Sequence, residues 1–199
     1  MKNYIKDIYL LIIFLFAAMA CSDNEELIKK DEPGEVIPPV VVEPVTVLDE
    51  HFDDKNKYLT SGGQPFPSFF SNGYFERAVS DEVIQGLSLK VFLTQCQLEP
   101  DAPGVSVNGT TTSDGRILLD ANTGAIETGL LGSVSKVSLV AANASANNTG
   151  TKVVLMIKAK GGNWEVYAKS PVLSGTNAYE WVLDRKIMKY PIYVKVVAD

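Results

Sequence analysis

Few side chains in this chain have the type and setting to do chemistry, and the first is a thiol. Ala18-Met19-Ala20 places small residues immediately before Cys21. A peptidase can reach that bond, and the exposed thiol can then carry a thioether-linked diacylglycerol. Ahead of it stand Lys2 and Lys6, then an uncharged apolar run from Ile8 to Ala20. That run is short of the ~20 residues a helix needs to span a bilayer, so it reads as a signal peptide and not as a membrane span. Residues 1–20 are therefore expected to be removed, leaving Cys21 as a lipidation site and lipid anchor.

The other reactive groups are isolated. His51 is the one histidine, which excludes any site that needs two. It lies beside Glu50 and is expected on the outer face of a strand, as a surface imidazole. Asp49, Glu50, Asp53 and Asp54 form the densest acidic cluster, and hard oxygens at that density can hold a structural calcium. Lys55 and Lys57 beside them favour a solvated strand end. With Cys21 lipidated, Cys96 has no disulfide partner, and no local base or cation activates it. It is expected as a half-buried structural thiol. The chain contains no Gly-x-Ser-x-Gly elbow, phosphate loop or His-Glu-x-x-His. Arg77, Arg116 and Arg185 show no spacing that ties them to a catalytic base. Catalysis is not expected.

Composition narrows the partners. Removing residues 1–20 takes away Lys2, Lys6 and Asp7, leaving 16 basic and 23 acidic side chains and a net charge of −7. Without a Lys/Arg cluster, a nucleic-acid partner is not expected. Polyanionic glycans are disfavoured unless a local basic face or calcium compensates.

Three segments are expected to position these groups: a signal peptide over 1–20, the lipidated cysteine and a flexible tether over 21–44, and one domain over 45–199. The tether carries Pro33, Pro38, Pro39, Pro44 and Gly34 among acidic residues, a composition that stays extended and builds no core. From Val45 on, short β-branched and aromatic runs alternate with turn-forming clusters. Strands are expected at Val45–Phe52, Tyr74–Val79, Leu87–Thr94, Arg116–Asp120, Val134–Ala142, Lys152–Lys160, Trp164–Ser170, Tyr179–Asp184 and Tyr190–Val197. Turn signals stand at Gly109, Asp114-Gly115, Asn147–Gly150 and Gly161-Gly162-Asn163. The fold class is all-β, a two-sheet antiparallel β-sandwich.

Period-two alternation then assigns faces. Leu87, Leu89, Val91 and Leu93 point inward, as do Tyr179, Trp181 and Leu183, and Ile192, Val194 and Val196. For Trp164 to Lys169 the inward set is Trp164, Val166 and Ala168, which buries both tryptophans. Tyr167 and Tyr193 are then the outward aromatics, with Glu165, Glu180, Lys169 and Lys195 on their side. The loop Gln64 to Phe75 packs five aromatics into turn-forming sequence. Its rings can stack on sugars, with Phe66 as a ligand-binding candidate, or Phe69, Phe70 and Phe75 can plug one end of the sandwich.

Two resemblances bear on these patterns. Ser22-Asp23-Asn24-Glu25-Glu26 resembles the acidic export signal of Bacteroidota surface lipoproteins, which implies an outer-membrane anchor facing the medium. Val47-Leu48-Asp49-Glu50-His51-Phe52, Gly115-Arg116-Ile117-Leu118-Leu119, Val134-Ser135-Lys136-Val137-Ser138-Leu139, Gly161-Gly162-Asn163-Trp164 and Tyr190-Pro191-Ile192-Tyr193-Val194-Lys195-Val196 resemble the jelly-roll modules of such proteins. In that family a further strand follows the one like Tyr193–Val197. Here the chain stops at Asp199, so either that strand is dispensable or an edge is left for a partner to cover. The resemblance implies a non-catalytic, carbohydrate-binding module on the cell surface. Two alternatives remain open: a structural or adhesion subunit that assembles on a neighbouring surface protein, and a polysaccharide lyase-like enzyme.

Overall fold

A computed structural model describes residues 7–10, 17, 18, 45, 46, 48, 50–78, 88–112, 114–132, 134–144, 150–184, 187 and 191–199. Its strands are β1 (Asp7–Leu10), β2 (Ala17–Ala18), β3 (Val45–Thr46), β4 (Tyr58–Thr60), β5 (Ser71–Ala78), β6 (Ser88–Glu99), β7 (Ser106–Val107) and β8 (Thr110–Thr111). They continue as β9 (Arg116–Asp120), β10 (Ala125–Thr128), β11 (Lys136–Asn143), β12 (Val153–Ala159), β13 (Glu165–Lys169), β14 (Asn177–Val182) and β15 (Ile192–Ala198). All the pairings are antiparallel.

The strands form the expected β-sandwich. The larger layer runs β4-β5-β6-β10-β15-β12-β13, and the smaller runs β9-β1-β11-β14. The long β6 serves both, pairing with β5 and β10 through its first half and with β9 through Cys96–Glu99. Its inward set is Leu89, Val91 and Leu93, then Cys96 and Leu98, all buried. That change of parity needs one extra residue, and Gln95 supplies it at φ 44. Asn72 Oδ1 accepts the Gln95 amide at 2.8 Å and holds the bulge in place. Leu87 of the expected row lies outside the described residues.

The other inward rows match the alternation where the ladders are regular. Ile192, Val194 and Val196 are buried, as are Val137, Leu139 and Ala141 of β11 and Val153 and Leu155 of β12. Each such Val, Leu or Ile side chain removed from water contributes roughly 1.5–3 kcal/mol. The expectation missed β10, a central strand of only four residues. It buries Ile126 and, one turn of the alternation on, Thr128, whose Oγ1 accepts the Val194 amide at 3.0 Å. The turn glycines Gly109, Gly115 and Gly161 take φ of 83, 96 and 81°, as their spacing implied.

The expected strand Val45–Phe52 is shorter. Regular pairing covers only Val45–Thr46, while Leu48, Glu50 and Phe52 stay buried through an irregular segment. Phe52 sits at φ 62 and lies so close to Gly115 that a Cβ there would be 2.6 Å from its backbone. His51 is half-buried in this segment and is not on an open strand face. Glu50 is 0 % exposed: it accepts the Phe52 amide at 3.0 Å and the Tyr58 hydroxyl. Around that pair Phe52, Tyr58 and Phe75 close one end of the core, with ring centroids 5.2 to 6.3 Å apart.

Candidate functional site

The outer face of the larger sheet brings side chains together from six strands. Residues opposite each other in an antiparallel ladder share a face. Tyr74 faces Phe92, Phe92 faces Glu127, Glu127 faces Lys195, Lys195 faces Met156, and Met156 faces Val166. One continuous row therefore crosses β5, β6, β10, β15, β12 and β13. A second row places Lys90 opposite Glu76, and Lys158 opposite Tyr193. Phe92 is 43 % and Val166 53 % exposed, both high for apolar residues.

Lysines and rings alternate on this face. Lys90 Nζ lies 3.8 Å from the Tyr74 ring centroid and 5.7 Å from that of Phe92. Lys158 Nζ lies 4.5 Å from Tyr193 and 4.6 Å from Trp164, and Lys195 Nζ lies 4.2 Å from Trp164. Each such cation–ring contact at a partly exposed site contributes about 0.5–1 kcal/mol. Lys195 also pairs with Glu127 at 2.8 Å and Lys90 with Glu76 at 3.6 Å. Lys158 has no carboxylate partner among the described residues. The face thus offers flat apolar rings, hydrogen-bond donors and acceptors, and one uncompensated cation.

The residues singled out from the sequence are not one cluster. Tyr193 and Lys195 point outward into this face, as their alternation required. Tyr167 does not: it packs against the core, donates its hydroxyl to the Val182 carbonyl at 2.9 Å and accepts the Asp184 amide at 3.0 Å. The cause is a register shift between Leu155 and Met156, where Ala168 pairs with Leu155 but Val166 pairs with Met156. Tyr167 is the extra residue, and everything before it changes face. Trp164 and Val166, expected in the core, are therefore outside. Glu165 turns instead toward a cavity of about 250 Å³ at the open end of the sandwich, lined by Ile157, Ile187 and Ile192. Glu180 belongs to the outer face of the smaller layer, 3.1 Å from Lys136. Phe66 leans on the core over Gly73, where a Cβ would come within 2.6 Å of its ring, while Phe69 is 66 % exposed.

Trp164, Tyr74 and Phe92 were missed as a group. A strand pattern gives faces within one strand, but these rings meet through the register of non-consecutive strands. Two other expectations concern single groups. Cys96 is fully buried, its Sγ 3.2 Å from the Thr94 carbonyl and 3.4 Å from that of Ala125, and burial pushes its thiol pKa far up. The thiol is structural, as expected, but wholly rather than half-buried. For calcium, Asp49 lies outside the described residues, Asp54 accepts the Asn56 amide at 3.0 Å, and Lys57 lies 4.0 Å from Asp53 and 3.6 Å from Asp54. These two carboxylates face a cation of their own chain, and no group of three ligand-type side chains converges among the described residues. Arg116, one of the arginines weighed for a lyase, is bound to Glu99. No family model, no curated protein and no solved structure matches the chain.

Proposed function

We propose that this chain is a surface-anchored, non-catalytic lipoprotein whose β-sandwich binds a glycan on the outer face of its larger sheet. The observation that carries the reading is the band of Tyr74, Phe92, Trp164 and Tyr193 interleaved with Lys90, Lys158 and Lys195. Sugar rings present apolar faces and a rim of hydroxyls, and such a band offers stacking surface beside polar groups. The anchor is Cys21, the address the outer membrane facing the medium, and residues 21–44 hold the domain away from the lipid. The leader with its Ala-x-Ala-Cys ending supports this address, and the acidic run after it resembles the surface-export signal of Bacteroidota.

A glycan-array screen of the processed protein tests the reading. Binding should fall at least about tenfold, or about 1.4 kcal/mol, for Trp164→Ala and for Tyr193→Ala, and should survive Tyr167→Phe. Full binding by both alanine variants would remove this face as the site.

A further inference from the structure

Charge is distributed unevenly over the outer face of the larger sheet. Lys90 is matched by Glu76 at 3.6 Å, Lys195 by Glu127 at 2.8 Å, and Lys169 by Asp199 at 2.7 Å. Lys158 differs. Its Nζ lies 4.5 Å from the Tyr193 ring centroid and 4.6 Å from that of Trp164, and no carboxylate among the described residues pairs with it. Lys195 Nζ lies 4.2 Å from the same indole. Two ammonium groups therefore border Trp164, and Glu127 answers only one of them. The positive excess falls where the stacking surface is.

That excess is a product of the fold. Unbroken alternation along Trp164–Lys169 would put Glu165 on the outer face, on the side of Tyr193 and Lys195. The residue inserted at Tyr167 reverses this. Glu165 pairs with Ile157, which packs on the core, and lines the cavity at the open end of the sandwich. The same insertion turns Trp164 outward. One extra residue thus adds a ring to the face and takes an acid off it. The chain as a whole is acidic after residues 1–20, with a net charge of −7. At physiological salt, however, exposed charges more than ~8 Å apart are largely screened from each other, so the groups in contact decide which ligand the face holds.

We propose that the glycan bound on this face is acidic: a uronic acid unit stacks on Trp164 or Tyr193, and its carboxylate accepts hydrogen bonds from Lys158 Nζ. The inference rests on the glycan-binding reading and names the substrate class of that site. A uronic acid carries its carboxylate at the rim of the sugar ring, in place of a hydroxymethyl group. A sugar lying flat on either aromatic ring can therefore present that group sideways to the ammonium between them. An ammonium has three N–H donors, and ring faces are weak acceptors, so Lys158 keeps capacity for a charged partner. A hydrogen bond between two ions is about twice as strong as a neutral one, which gives the site its preference for the acid over the neutral sugar.

The test adds three matched sets to the array: hexuronic acid oligomers, the same oligomers with each carboxylate reduced to a hydroxymethyl group, and the reduced oligomers bearing sulfate esters. At least one uronate oligomer should bind at least about tenfold more tightly than its reduced counterpart. That ratio should shrink as sodium chloride rises from about 0.05 to about 0.5 M. Lys158→Gln should bring the ratio within about twofold of one, and Lys158→Arg should preserve it. Lys136→Gln removes one positive charge from the smaller layer and should preserve the ratio as well. If the reduced oligomers bind as tightly as the uronates, and Trp164→Ala abolishes that binding, the glycan reading stands and this inference is overturned. Tighter binding of the sulfate esters than of the uronates overturns it too, as does a uronate preference that survives in Lys158→Gln. Absence of binding to every glycan on the array overturns both readings.

Discussion

The two tryptophans sit on strands that read alike, yet they end on opposite faces. Trp181 lies on the inner face of β14, its ring stacked on Tyr179 with centroids 5.9 Å apart and planes at 9°, and both rings pack on the core. Trp164 stands on the outer face of the larger sheet between two lysines. The difference comes from the ladders. β14 pairs with β11 without a break from Asn177 to Val182, so its alternation holds. β13 contains one extra residue, Tyr167, and its first half is inverted. A single inserted residue thus converts a core tryptophan into a surface ring, and the same insertion draws a surface tyrosine into the core.

The largest test of this contrast is stability. Trp181→Ala should lower the unfolding free energy by about 3 kcal/mol, the low end for a large aromatic because the ring is half-buried. Trp164→Ala should cost no more than about 1 kcal/mol, chiefly its lysine contacts. Urea unfolding of the two variants measures both, and equal losses would break the contrast. Ligand affinity should give the opposite ranking. Trp164→Ala should weaken glycan binding at least about tenfold, whereas Trp181→Ala, under conditions where it remains folded, should leave it within about twofold. A third measurement addresses the inserted residue itself. Tyr167→Phe keeps the ring and loses the hydroxyl that joins β13 to the Val182 carbonyl and the Asp184 amide. It should cost about 1 kcal/mol, the net worth of a hydrogen bond, with no change in glycan affinity.

Regular ladders were legible in the sequence. Arg116–Asp120 is the strand expected, and the inward sets of β14, of β15 and of the first half of β6 follow from alternation alone. What escaped depends on relations between strands. No pattern in Trp164–Lys169 marks Tyr167 as a bulge, because the shift is defined by its partner Leu155. Ala125–Thr128 offers one large apolar residue, and its central place comes from pairing with β6 on one side and β15 on the other. Glu50 escaped for another reason. Its charge argues for solvent, and the Phe52 amide and the Tyr58 hydroxyl eight residues later help to make a buried carboxylate tolerable. The candidate face was half legible: Tyr193 and Lys195 follow from alternation, but Tyr74, Phe92 and Trp164 join them only through the sheet order.

The smallest effect lies just beyond the inserted residue, where the original phase resumes. Ala168 returns to the core, so Lys169 must point outward, and its Nζ meets Asp199 Oδ2 at 2.7 Å. That hydrogen bond, with the Lys169 charge next and Lys152 adding a little, holds the Asp199 carboxyl below the usual carboxylate range. A carboxyl whose folded pKa is lowered adds stability that is present above its ordinary value and lost as pH falls through the lowered one. The pair is therefore intact at neutral pH and opens as pH falls through that lowered value. A carbon-detected NMR titration of the Asp199 side chain should give a midpoint below about 3.9, the ordinary aspartate value. Lys169→Met should raise it toward that value, while Lys195→Met, on the strand that leads into Asp199 but paired with Glu127, should leave it unmoved. Were Lys169→Met without effect, Lys169 would not be on the outer face, and the inversion of β13 would have to begin elsewhere than at Tyr167.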